Sequence, residues 1–120
     1  KKAFVYQFHD TREAMGSTGS KRVFTQSRPS DFLITHEGVT FYAEVKSCAT
    51  PTSFSFSNIR PDQWMYATLT AAAKGLYFFI IKSEALDKWY KVPAPFLISL
   101  KDDNIKSVKW ENLNAYEFNI

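Results

Sequence analysis

From Val39 onward the chain alternates strictly: Val39, Phe41, Ala43 and Val45 fall on one side of an extended segment, and Thr40, Tyr42, Glu44 and Lys46 on the other. Glu37-Gly38 is a two-residue turn signal, so Asp31–His36 and Val39–Lys46 read as a β-hairpin. With that turn setting the register, position 36 faces 39, and counting outward sets Asp31 against Glu44. Ala3–Phe8 reads as a first strand. Residues 9–30 are polar, hold Gly16 and Gly19, and read as a loop or arm with room for a short strand at Arg22–Gln26. Residues 47–58 form a Ser/Thr/Pro-rich loop in which Phe54 and Phe56 read as aromatic plugs of the core.

A helix follows over Arg60–Lys74. Pro61 suits a first turn, Asp62 complements the N-terminal dipole, and Gly75 is a stop. Met65, Leu69 and Ala72 are expected as its buried stripe, with Trp64, Thr68 and Ala71 alongside. Leu76–Lys82 is nearly all apolar, as a strand covered on both faces would be. Lys88–Val92 continues as a strand and Pro95–Leu100 as a short helix. Lys106–Ile120 has Trp110, Leu113 and Tyr116 at a helical spacing. The order predicts one α/β domain over residues 1–120, a mixed central sheet flanked by helices.

On the hairpin, two carboxylates and an ammonium share one patch, since directly opposed strand residues have Cβ atoms about 5 Å apart. Two readings stand. A solvated outer face with a cross-strand ion pair is the plainer one, and such pairs contribute little. The other is a divalent-cation site: opposed carboxylates repel unless something compensates, and Mg²⁺ is a hard cation that takes oxygen ligands and keeps several waters.

Composition narrows the field. The chain has 120 residues with eleven Phe, six Tyr and three Trp, enough for one compact core. No segment approaches about 18 unbroken apolar residues, and no signal peptide is evident, so neither a membrane span nor export is expected. Cys48 is the only cysteine, which excludes an intrachain disulfide and fits a reducing, cytoplasmic setting. Scattered His9, His36 and Cys48 do not make a zinc site. The net charge is +3, yet residues 1–30 carry six basic against two acidic groups, +4, leaving −1 for the rest. A basic segment beside a carboxylate site suits a polyanion steered toward a metal, or is a solvated arm.

The Asp31…Glu44-Val45-Lys46 hairpin, followed by a helix and a buried strand, resembles the core of the PD-(D/E)xK nuclease superfamily. The 31-to-44 spacing, the run Thr52-Ser53-Phe54, Asn58-Ile59 and Gln63, the apolar strand and the basic segment before Asp31 are similar to those of RecU-type Holliday-junction resolvases. The likeness covers roughly residues 10–95. It implies a restriction-endonuclease-like fold and a homodimer that nicks a four-way DNA junction symmetrically. It also implies a Mg²⁺ requirement, with Mn²⁺ as a substitute, and a stalk at about 10–28. Carried over residue by residue, Asp31, Glu44, Lys46 and Gln63 are catalytic, and Asp31, Glu44 and the Val45 carbonyl are metal ligands. Arg12, Lys21, Arg22, Arg28, Thr52, Ser53 and Arg60 are DNA contacts. Two features depart from the family. Its N-terminal helix, whose glutamate joins the site, has no counterpart before the first strand, so the chain is a trimmed or minimal form, or Glu13 or another group substitutes. The stalk is also shorter and less basic. A general Mg²⁺-dependent nuclease on duplex or flapped DNA, and a non-catalytic DNA-binding module on the same fold, are the alternatives.

Overall fold

A computed structural model describes residues 2–9 and 28–119. The predicted short strand at Arg22–Gln26 and most of the stalk at 10–28 lie outside the described residues. Strands β1 (Ala3–Gln7), β2 (Phe32–His36) and β3 (Val39–Cys48) form an antiparallel meander. The hairpin register is the expected one, from His36↔Val39 out to Phe32↔Ala43. Glu37 (φ 53°) and Gly38 (φ 83°) both have positive φ, as the tight two-residue turn requires.

Beyond β3 the chain makes a three-residue strand β4 (Ser53–Ser55), a 3₁₀ turn (Phe56–Asn58) and helix α1 (Pro61–Ala72). Strand β5 (Tyr77–Ser83) then pairs parallel with β3, which makes the sheet mixed. Strand β6 (Lys88–Pro93), helix α2 (Ala94–Asp102), strand β7 (Ser107–Lys109), a 3₁₀ segment (Trp110–Tyr116) and strand β8 (Glu117–Phe118) complete the order. The six-stranded sheet runs β1-β2-β3-β5-β6-β8, and β4 pairs with β7 in a separate ribbon.

The core lies on one side of the sheet, where Phe79, Ile81, Tyr90 and Val92 meet Trp64 and Ala67 of α1 and Leu97 of α2. Phe54 and Phe56 are buried here as expected, and Trp110 and Leu113 close its end. The other side has a different character. Val5, Ile34, Phe41, Ala43, Val45 and Ile80 line an apolar groove there. β5 therefore departs from the expected double cover. Tyr77, Phe79, Ile81 and Ser83 are buried, whereas Phe78, Ile80 and Lys82 on the groove side are half-buried.

Helix α1 corrects a second expectation. Its buried residues are Gln63, Trp64 and Ala67, while Met65 and Leu69 are 47% and 59% exposed. At 3.6 residues per turn, Met65, Leu69 and Ala72 point away from the face carrying Gln63, Trp64 and Ala67. The aromatic ring and the Gln63 amide decide the rotation, because both find partners only toward the sheet. The helix is also shorter than Arg60–Lys74: Arg60 is its N-cap, and Lys74, at φ 68°, turns the chain out before Gly75. A Cβ on Gly75 would stand 2.9 Å from Thr70 Cγ2, so glycine there serves a close approach.

Residues 106–119 do not form the helix that Trp110, Leu113 and Tyr116 suggest. Pairing of Ser53–Ser55 with Ser107–Lys109 draws this segment into a strand, and a 3₁₀ run follows. Residues i and i+3 eclipse in a 3₁₀ helix, so Trp110, Leu113 and Tyr116 still share one face. The segment at 47–58 is likewise more ordered than a loop, because β4 and the 3₁₀ turn occupy half of it.

Candidate active site

Alternation along β3 sets Glu44 and Lys46 on the same side as Tyr42, facing the helices. That excludes the solvated outer face as a description of this patch, since Glu44 is only 3% exposed. Asp31 stands one residue before β2. Continuing the register by one step sets it against Glu44, as the hairpin count requires.

Asp31 is held by a backbone amide of β3 and by an arginine, Glu44 by a side chain of α1. The Val45 amide donates to Asp31 Oδ2 at 2.9 Å, and Arg28 Nη2 donates to Oδ1 at 3.0 Å. The approach to Asp31 is itself fixed. Tyr77 Oη donates to the Pro29 carbonyl at 2.7 Å, Ser30 Oγ to the Phe32 carbonyl at 2.7 Å, and the Phe8 amide to the Asp31 carbonyl at 3.0 Å. On the other side of the site, Gln63 Nε2 donates to Glu44 Oε2 at 2.7 Å. The Gln63 Oε1 accepts from the Arg60 amide at 2.9 Å, which caps α1 and orients the Gln63 side chain together. Lys46 Nζ lies 3.7 Å from Glu44 Oε2.

Burial pushes the Glu44 carboxyl up to about 7, and the Asp31 charge pushes in the same direction; Lys46, Arg28 and Arg60 only partly offset them. Tyr77 is raised too, by burial first and then by the Glu44 and Asp31 charges. Two anionic groups are thus crowded where little water can screen them.

That donor set suits Mg²⁺. Two oxygen ligands with the rest of the shell as water is how this ion is commonly held. It does not suit a structural zinc: among the described residues no three His, Cys, Asp or Glu come together, His9 and His36 are elsewhere, and Cys48 is buried near Ser53. Val45 enters by its amide. A residue's N–H and C=O point to the same side of a strand, so its carbonyl also faces the Asp31 side.

Of the residues singled out from the sequence, Asp31, Glu44, Lys46, Gln63, Arg28 and Arg60 come together. Thr52 and Ser53 do not share their hydrogen bonds. The Thr52 carbonyl accepts from the Trp110 amide, and Ser53 pairs with Lys109 in the small ribbon. Arg12, Lys21 and Arg22 lie outside the described residues. Tyr77 was missed by the sequence reading. Its apolar run hides it, and only the parallel register Tyr42↔Tyr77 brings its ring to the site.

A mixed sheet whose central hairpin presents Asp and Glu-x-Lys toward a flanking helix defines the PD-(D/E)xK class of folds. Within that class, the family model for Recombination protein U (RecU) matches residues 1–120, and the chain belongs to this family. A curated relative, the Holliday junction resolvase RecU of Lactobacillus helveticus (strain DPC 4571), is 27% identical over 97 residues. The match covers 78% of this chain and 46% of that protein, so the chain spans about half the length of the relative. Among solved structures, Hjc of Archaeoglobus fulgidus, a Holliday junction resolvase, superposes with a TM-score of 0.53 at 13% identity. That superposition covers 98% of this chain and 81% of Hjc, and shows a shared fold.

Proposed function

We propose that the chain is a Mg²⁺-dependent endodeoxyribonuclease that resolves four-way DNA junctions by paired, symmetric nicks. The observation that carries this reading is the opposition of Asp31 to buried Glu44, with Lys46 and Gln63 both on Glu44 Oε2. A pure binding module has no use for two crowded carboxylates that repel phosphate.

Asp31, Glu44 and the Val45 carbonyl are the groups that would hold the ion, with Mn²⁺ as a substitute. When bound, Mg²⁺ supplies Lewis-acid stabilisation of the scissile phosphate and a more acidic water. The protein's own residues do the rest. Gln63 fixes the Glu44 carboxylate so that its free lone pairs keep one orientation. Lys46 orients the attacking water or neutralises charge that builds on the phosphate. Arg28 and Arg60, with Arg12, Lys21 and Arg22 of the upstream segment, and Thr52 and Ser53 as hydroxyl donors, take up DNA phosphates; such contacts position without reading sequence.

Symmetric nicking needs two active sites, and each chain has one such carboxylate pair, so the working unit is a homodimer. The apolar groove opposite the core offers a second copy area to bury. A monodisperse monomer in light scattering at micromolar concentration would contradict that. No helix among the described residues is long and apolar enough to cross a membrane. A DNA substrate fits a cytoplasmic protein.

The substrate is tested by side-by-side cleavage of a mobile four-way junction and a linear duplex of the same sequence. Strong preference for the junction is expected. Equal rates would make the protein a general nuclease on this core.

A further inference from the structure

Both oxygens of Asp31 are engaged, by donors of very different kinds. Oδ2 is held by the Val45 amide, which cannot leave without breaking β3. Oδ1 is held by Arg28, whose long side chain is 37% exposed and can swing into solvent. The backbone beneath Arg28 does not share that freedom. Pro29 is tied to Tyr77, and Ser30, 1% exposed, to the Phe32 carbonyl. The guanidinium is therefore a movable cation on a fixed mount, seated on an oxygen that a divalent cation needs.

Arg28 and a divalent ion compete for that oxygen and repel each other. A DNA phosphate offers the guanidinium an alternative: it accepts the same bidentate fork that a carboxylate does, and DNA presents many such charges side by side. We propose, on the basis of the nuclease reading above, that Arg28 is a cationic plug on the metal site. It neutralises Asp31 while DNA is absent and is drawn off by a DNA phosphate, which frees Oδ1. Metal binding and DNA binding are then linked, each tightening the other by the same factor. The device lowers the site's affinity for divalent cations until the substrate arrives.

The test is calorimetric titration of Mg²⁺ into wild-type protein, Arg28→Gln and Arg28→Lys, each with and without hydrolysis-resistant phosphorothioate-linked DNA and corrected for DNA alone. Hydrolysis is not the readout. DNA should tighten Mg²⁺ binding to wild type by about fivefold or more, the lower end of ordinary coupling. Arg28→Gln should bind Mg²⁺ tighter by a comparable factor without DNA and lose most of the response to it; Arg28→Lys should keep part. Unchanged or weaker Mg²⁺ affinity in Arg28→Gln, with the full DNA response, would overturn the plug. Asp31→Asn separates the two levels: if it binds Mg²⁺ like wild type, the metal site itself is misplaced, and the plug falls with it. If Asp31→Asn abolishes binding and Arg28→Gln changes nothing, the plug alone is wrong.

Discussion

Gln63 spans two elements: its amide nitrogen donates to Glu44 on β3, and its amide oxygen accepts from the Arg60 backbone at the start of α1. One side chain thus caps the helix and aligns a carboxylate. Gln63→Leu should cost about 1–2 kcal/mol, the usual penalty for orphaning a buried partner, and weaken Mg²⁺ binding about tenfold or more. Urea unfolding and metal titration of the same variant check both numbers.

Glu44 makes stability depend on pH in an unusual direction. Its carboxyl titrates near 7 in the fold and at about 4.5 in an unfolded chain, so between those values the folded form holds a proton that the unfolded form releases. Without Mg²⁺, stability should therefore be fullest below about pH 4.5, as far as this group is concerned, and fall as pH rises through 7. The span is up to about 3 kcal/mol at about 1.4 kcal/mol per pH unit. Glu44→Gln should abolish this decline and be more stable than wild type at pH 8. Thermal melts across pH 4–8, with and without Mg²⁺, measure it; saturating Mg²⁺ should flatten the wild-type curve.

Tyr77→Phe removes the hydroxyl that holds the Pro29 carbonyl but leaves the ring in the core. Stability should drop by about 1 kcal/mol, and the Asp31 segment should loosen. Junction binding should stay near wild type while the nicking rate falls. An unchanged rate would mean that Asp31 is placed by its other contacts alone.

Much of this was legible in the sequence because the signals are local. The Glu37-Gly38 turn fixed the hairpin register, and alternation then put Glu44 and Lys46 on one face with Asp31 opposite. What escaped depends on partners far along the chain. The rotation of α1 follows from Gln63 reaching Glu44, 19 residues away, so periodicity alone pointed Met65 and Leu69 inward. Ser53–Ser55 and Ser107–Lys109 become strands only because they meet each other. Tyr77 looks like any member of an apolar run until β5 pairs with β3. The bond from Arg28 to Asp31 is local, but a basic residue three positions from an acid is too common to stand out.

The measurement that bears most directly on the site is cleavage of a labelled four-way junction with Mg²⁺ by wild type and Asp31→Asn. Paired symmetric nicks by wild type, absent in the variant while junction binding survives, are the predicted result. Nicking unchanged by Asp31→Asn would contradict the account, because the chemistry would then lie away from the Asp31–Glu44 hairpin.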